Sequence, residues 1–513
     1  MRGEPASPRG VFCSAGRRGS VGWSRAGCFG LELGESFVGL AMVGLLRRLP
    51  RVCSPGAKCG AVAWSLVAAM ACAEPVAVVH RGSAPLPATA VDQNAAPFNV
   101  TGLSGITHLG GNHFAAVVDN SNKLVHLEVQ FAADGSLAGA TPVGGTTLSQ
   151  SRDYEAIAYT NARLKTVWLA DEGGPRLDEF DLKTGELLRT VAAPSPFGQR
   201  RNGFGWESLV RRAGGGELWT ANEEALTVDG GVSSPTSGTT VRLLRYAAGD
   251  ESYVAAEQYA YPVEPWHVGD SSLTSAERSG LVELVALPDG KLLALERSLA
   301  FSGLISPSFE NRLYEVDLAG ATNVAGMASL AGATYTPVGK RLLWSGAAAG
   351  AVGMNMEGLT VGPRLASGNL TLVGIVDDGG ASDPLSANAL VAFEVTSAVA
   401  DPSLVGDANL DGRVDAADVA VLASTYGTSS GAQWEDADFD GDGQVTLDDL
   451  AALARALPVA ANASGRTTVA ANQTDQHAAT PEPSAVALIA AAVAMLLAAR
   501  WFIRRQKLPR SLG

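Results

Sequence analysis

Asn202–Glu224 reads NGFGWESLVRRAGGGELWTANEE, a strand, a glycine turn at Gly214–Gly216 and a returning strand that ends on Glu223 and Glu224. The same phrase recurs in other words. Glu155-Ala156-Ile157 leads to Val167–Glu172, and Glu357-Gly358-Leu359 leads to Leu372–Asp377. Ser104-Gly105-Ile106 leads to Ala116–Asp119, and Ser279-Gly280-Leu281 leads to Leu292–Glu296. Each copy is followed by a second alternating run, such as Arg176–Leu182 or Arg312–Leu318, with polar and apolar residues in the order of a half-buried strand. The copies begin at 104, 155, 207, 279 and 357. A period of about 50 residues with several strands per unit is that of a β-propeller. The last two intervals are longer and hold either long loops or one degenerate blade.

The chain has 513 residues, a net charge of −14 and abundant glycine. The acidic excess lies in the body, which argues against nucleic acid as a partner and suits cation binding. All five cysteines precede residue 73, so a body lacking that segment has no disulfide, zinc thiolate site or cysteine nucleophile. Residues 1–73 read as a secretory signal peptide, with Met42 a candidate true start. Arg47, Arg48, Arg51 and Lys58 form its positive region, Ala61–Met70 its apolar stretch, and Ala71-Cys72-Ala73 its cleavage site. A lipid-modified Cys72 and a membrane anchor are the alternatives.

Residues 74–400 form the propeller. Asn202–Leu209, the Leu218–Glu223 return and Asn355–Leu359 resemble the "esterase-like activity of phytase" family, also called phytase-like domains. The resemblance covers roughly 100–396. It implies a mainly β fold, a propeller of six blades with five repeats visible, and phosphoric ester hydrolysis by recurring acidic residues. A phosphoester is anionic, so its hydrolysis needs positive charge and a positioned water. In a cysteine-free acidic body a hard cation held by carboxylates supplies that charge. Glu155, Glu207 and Glu357 open three repeats. Asp119, Asp171, Glu172, Glu223, Glu296 and Asp377 close returning strands. A ring of these acids suits a metal, and Glu207, Glu357 and Asp171 are the expected metal ligands or general base. Arg201 and Arg297 are the first candidates to receive phosphate, with Arg152, Arg200, Lys340 and Arg341 nearby. The competing reading is that repeated acids cap turns between blades. Ser104 and Ser279 stand where the other repeats have Glu.

Other chemistries fit less well. The body has no G-x-S-x-G elbow and no histidine-phosphatase signature. Its histidines lack ligand spacing, and His108 and His113 read as surface residues around a turn. Trp168 and Trp219 read as core.

Residues 401–457 carry two EF-hand-like calcium loops. In the first, Asp407, Asn409, Asp411, Asp415 and Asp418 occupy positions 1, 3, 5, 9 and 12, and Arg413 offers its carbonyl. In the second these places fall to Asp438, Asp440, Asp442, Thr446 and Asp449, with Gln444 giving the carbonyl. Hard oxygens at alternating positions suit Ca²⁺. Gly412 and Gly443 make the sharp turns, and each loop runs into a helix, 416–426 and 447–457. This small α-helical module resembles a type I dockerin. The resemblance implies two Ca²⁺ sites and a cohesin-like partner. Ala416-Ala417 and Leu447-Asp448 replace the Ser-Thr pair that many such modules use.

Residues 458–480 read as a linker. The tail 481–513 begins Pro481-Glu482-Pro483-Ser484, continues with an apolar run 485–499 and ends on Arg500, Arg504, Arg505 and Lys507. It resembles a PEP-CTERM sorting signal. The resemblance implies a transmembrane segment, removal by an exosortase-type enzyme, and an exported protein at or outside a bacterial surface. A permanent membrane anchor is the alternative.

Overall fold

Each inner strand lies against the inner strands of both neighbouring blades. The structure is a computed structural model. It describes residues 76–457 apart from 162–163, 213–215, 250–251, 268–276, 289, 303–305, 347–353, 366, 368, 378–387, 397–404, 409–413 and 440–442. The expected leader, linker and sorting tail lie outside these residues.

The chain opens with β1 (Ala77–Pro85) and a small ribbon of β2 (Thr89–Val91) and β3 (Pro97–Asn99). The first blade is β4 (Leu103–Gly110), β5 (His113–Val118), β6 (Lys123–Phe131) and β7 (Leu137–Thr147). The second is β8 (Tyr154–Tyr159), β9 (Thr166–Asp171), β10 (Arg176–Asp181) and β11 (Leu187–Ala192). The third is β12 (Trp206–Arg211), β13 (Glu217–Asn222), β14 (Thr239–Ala248) and β15 (Tyr253–Val263). The fourth is β16 (Arg278–Ala286), β17 (Leu292–Ser302), β18 (Ser306–Asp317) and β19 (Gly339–Ser345). The last is β20 (Met356–Arg364), β21 (Leu370–Val376) and β22 (Ala389–Thr396), with β1 as its outer strand. Every pairing within these blades is antiparallel.

This is a propeller of five blades among the described residues, not the expected six. β1 pairs with β22, so the first strand of the body completes the last blade. The two long intervals become extended strands, such as the 12 residues of β18, and long connections, not a further sheet. The five repeats coincide with β4, β8, β12, β16 and β20.

Apolar burial holds the ring together. Five clusters of buried side chains fill the five junctions between blades. Trp168 and Trp206 share the junction of the second and third blades, while Trp219 lies with Leu281 and Leu284 between the third and fourth. Both Trp168 and Trp219 are core, as the alternating pattern predicts. The axis is tighter still. A Cβ on Gly358 would stand 2.7 Å from the Ser104 carbonyl oxygen, and one on Gly105 2.7 Å from the Ala156 Cα. Glycine is required there because neighbouring backbones touch.

Two helices follow, α1 (Ala416–Thr425) and α2 (Leu447–Ala456). They share a compact core of Leu422, Phe439, Val445 and Leu453. Among the described residues no helix is long and apolar enough to cross a membrane.

Gly358→Ala is expected to lower unfolding free energy in urea by about 1–3 kcal/mol, the usual cost of overpacking. Gly326→Ala, where a Cβ meets nothing within 4 Å, should leave stability within about 0.5 kcal/mol. Equal midpoints for the two variants would contradict five-blade closure through that contact.

Candidate functional site

The first turn of each inner strand carries a β-bulge, and the bulges decide which side chains reach the axis. Tyr154 pairs with Asp171 and Ala156 with Ala170, which leaves Glu155 as the extra residue. Glu207 is skipped in the same way between Trp206 and Ser208, and Glu357 between Met356 and Gly358. A bulge bends its strand and re-aims the unpaired residue. In the fourth blade the skipped residue is Val282, between Leu281 and Glu283. In the first blade the irregularity spans Ser104 and Gly105. By sequence, Ser279 stands at the Glu position of the fourth blade. The structure pairs Ser279 with Ser298 and gives that position to Val282, because the register follows the bulge.

A second set comes from the ends of the returning strands. The amides of Asp119, Glu172, Glu223 and Asp377 donate to the carbonyls of Gly102, Asp153, Gly205 and Asn355. In the fourth blade Arg297 pairs with Gly280 at the same place. Four acids and one arginine therefore occupy equivalent positions around the axis.

These groups interact. Arg297 lies between Glu357 and Glu223. Its Nη1 donates to a Glu357 oxygen and, at 3.0 Å, to Asn355 Oδ1, while its Nη2 donates to Glu223 Oε1 at 3.0 Å. Burial works against the arginine charge, but Glu357, Glu223 and Glu207 outweigh it and raise the pKa. Glu207 goes the other way. Burial, then the charges of Glu155, Glu223, Glu172 and Glu357, push its carboxyl well above the usual range. Burial also pushes Glu223 up to about 8 despite Arg297. Glu172 is raised by burial, although its Oε1 accepts the Gly205 amide at 2.8 Å. Glu155 is raised by burial and by Asp119.

One corner of this cluster suits a metal. Asp119, Asp153 and Glu155 each offer an oxygen, all within 4.8 Å of one another. Burial and the Asp119 charge raise the carboxyls of Asp153 and Glu155, so like charges meet here at a cost that a cation would relieve. Asp153 is absent from the sequence-derived candidates. Its signal was its place two residues before Glu155, where the first, third and fourth blades have glycine.

Other candidates are elsewhere. Asp171 accepts from Arg176 at 3.1 Å and from the Gly174 amide at 3.0 Å, with Arg152 at 3.7 Å. Glu296 is held by Lys340 at 2.6 Å, Tyr261 at 2.8 Å and the Glu264 amide at 2.9 Å. Each stands one residue before the axial position, so its side chain turns into the blade. Asp377 accepts from the Asn355 side chain at 3.2 Å. Arg201 donates to the carbonyls of Ala225 and Gly230 and lies 4.0 Å from Glu224. Arg200 donates to the carbonyls of Glu172 and Gly173. Lys340 is paired with Glu296 and with Glu264, and Arg341 with Glu315. Of the expected phosphate receivers, Arg297 is the one bonded to the central carboxylates.

In the α-helical module, loop position 9 is also a helix N-cap and position 12 the third helical residue. Asp415 caps α1 and accepts the Ala417 amide, while Asp418 accepts the amides of Ala408 and Asp415, both at 2.8 Å. Thr446 caps α2, and Asp449 accepts the amides of Phe439 and Thr446 at 2.8 and 2.7 Å. Asp407, Asp418, Asp438 and Asp449 are buried. Gln444, the expected carbonyl ligand of the second loop, is half-buried. Asn409, Asp411, Arg413, Asp440 and Asp442 lie outside the described residues. Buried carboxylates at loop positions 1 and 12 fit a hard divalent cation.

The fold is a β-propeller with an acidic axis, followed by a two-helix module. The family model for the esterase-like activity of phytase, phytase-like, matches residues 99–380, more than half of the chain, and the chain belongs to that family. The model for the type I dockerin domain matches 405–458. No curated protein matches the chain. Among solved structures it is similar to the glutaminyl cyclase of Myxococcus xanthus, at 14 % identity, 62 % of this chain, 96 % of that one and a TM-score of 0.28. It is also similar to MPT-4, a mannose phosphorylase from Leishmania mexicana in complex with phosphate ion, at 10 %, 61 %, 88 % and 0.30. The calcium-binding protein regucalcin from Agrobacterium tumefaciens gives 12 %, 61 %, 96 % and 0.25. Similarities at that level carry no inference for this chain.

A carboxyl raised on folding stabilises the fold below its folded pKa and loses that contribution as pH rises from its unfolded value. Without added metal, thermal stability is therefore expected to fall from about pH 4.5 towards pH 8. Glu207→Gln should flatten that slope in calorimetric melts. An equal slope in the variant would show that Glu207 ionises without penalty.

Proposed function

We propose that the chain is an exported hydrolase of phosphoric esters whose axial carboxylates hold a divalent cation. The observation that carries this reading is the meeting of Asp119, Asp153 and Glu155 within 4.8 Å, beside further acids and Arg297. When bound, the cation supplies the positive charge that draws the anionic ester and polarises its phosphorus–oxygen bonds. Glu207 and Glu172 stand beside these three acids, and burial raises both carboxyls, which suits them to hold a proton that an ordinary carboxylate gives up. Glu223 and Glu357 hold Arg297 in place, and its fixed charge orients the phosphate. The remaining acid of the set, Asp377, positions Asn355.

One observation favours a second reading, a non-enzymatic surface module for binding or scaffolding. Arg297 is already engaged by two carboxylates, which weakens its pull on an incoming phosphate. The body at 74–400 is the proposed functional unit. The module at 401–457 takes two Ca²⁺ ions and suits a cohesin-like partner, as its family implies. In this reading residues 1–73 direct export, 458–480 link, and 481–513 form the PEP-CTERM tail, read by an exosortase-type enzyme at the membrane.

Phosphate release from phytate, simple monoesters and diesters with added Ca²⁺ or Mn²⁺ tests the hydrolase. The wild type should turn over at least one class, and Glu207→Ala with Glu357→Ala should lose roughly a hundredfold or more in kcat. Asp119→Asn with Asp153→Asn should abolish the metal dependence. No release above the double variants would leave the binding role. Separately, calorimetry should find two Ca²⁺ per module, and chelation should melt α1 and α2 while the propeller persists. Helical circular dichroism unchanged by EDTA would refute that.

A further inference from the structure

The carboxylates occupy one stretch of the axis, and a different surface closes the other. Two residues beyond the bulge position, every inner strand presents an apolar side chain: Ile106, Ile157, Leu209, Leu284 and Leu359, all buried. Past this ring lies a cavity of about 160 Å³ whose wall includes His108, Tyr159, Arg211 and Arg364. Its remaining side is Ala432-Gln433-Trp434 with Asp438, the segment that joins the two calcium units.

The contact is close and specific. Gln433 Nε2 donates to the His108 carbonyl at 2.5 Å, and the Arg364 guanidinium lies 4.6 Å from the centre of the Trp434 ring. His108, expected at the surface, is here covered on its backbone side and packed 4.8 Å from the Phe114 ring. Main chain meets main chain at the β4–β5 turn. A Cβ on Gly110 would stand 2.2 Å from the Ala432 carbonyl oxygen, and one on Gly431 2.9 Å from that of Leu109.

The same segment is wired to both calcium loops. Trp434 Nε1 donates to the carbonyl of Asp407, position 1 of the first loop, at 2.8 Å. The Ala432 amide donates at 3.0 Å to the carbonyl of Gly443, position 6 of the second. The Gly443 amide in turn donates to Asp438 Oδ2 at 2.8 Å. Gly443 itself touches the propeller, since its Cβ would lie 3.0 Å from the Gly111 amide nitrogen.

We propose that the dockerin-like module is a built-in plug for the apolar mouth of the propeller, seated through Gly431–Trp434 and Gly443 and set in shape by its own Ca²⁺. Loading the loops and closing this mouth are then one linked equilibrium, and each strengthens the other. The short connection after β22 keeps the plug at high local concentration, so a modest contact suffices. The seated plug narrows access to the axis from this mouth. The module's Gly431–Trp434 face is also withheld from any partner in that state. This rests on calcium binding by the module and not on hydrolysis by the propeller.

Hydrogen exchange on the whole chain, with Ca²⁺ and with EGTA, tests it. In Ca²⁺ the amides of 109–112 and 431–434 should be protected together, and EGTA should speed exchange at 109–112 at least tenfold while the blade cores stay protected. Arg364→Ala with Gln433→Ala alters no calcium ligand. It should keep α1 and α2 folded in Ca²⁺ by circular dichroism, yet expose 109–112 by the same factor. Protection at 109–112 that survives EGTA melting of α1 and α2, or that is unchanged in this folded double variant, would overturn the plug. Calorimetry with Ca²⁺ reports loop occupancy separately.

Discussion

Like charges brought together out of water govern the centre of this propeller. Glu207 faces Glu155, Glu172, Glu223 and Glu357 with little access to solvent, and the Arg297 guanidinium is bonded among them. Such a group of acids must share protons, recruit a cation, or lose stability as they ionise. The blades accept this strain because the five apolar junctions around it are filled, and because inner strands touch at Gly105 and Gly358. A β-bulge at the head of the inner strands turns the side chains inward. Without that extra residue Glu155, Glu207 and Glu357 would follow the strand alternation into the blade interfaces, and no common centre would exist.

The axis is layered by the same alternation. Acids come first, the ring of Ile and Leu two residues on separates the ends, and the far mouth lies beneath Ala432–Trp434. A charged site next to an apolar wall is screened less by water, so each carboxylate interaction is stronger than at a free surface. The loop-helix module uses its acids differently. There Asp418 and Asp449 serve the loop and the helix at once, as position-12 ligand candidates and as capping partners for the amides of Asp415 and Thr446. The proposed position-12 ligands and the capping groups are thus the same side chains, so calcium binding and helix initiation would support each other in this small core.

Read alone, the sequence determined the repeat, the identity of the inner strands, the antiparallel hairpins and the calcium-loop spacing of the module. These follow from local periodicity and from fixed ligand offsets, which need no knowledge of distant residues. It also marked Glu155, Glu207, Glu357, Glu172 and Glu223 by their recurrence. Only the tertiary structure decided the blade count, because closure depends on β1 reaching β22 across the whole body and on backbone contact at Gly358. Only it separated Glu172 and Arg297, which face the axis, from Asp171 and Glu296, which do not. Neighbours in sequence point to opposite sides of a strand, and a single bulge shifts which is which. Asp153 beside Asp119, and Trp434 over Arg364, became visible for the same reason: their partners are close in space and remote along the chain.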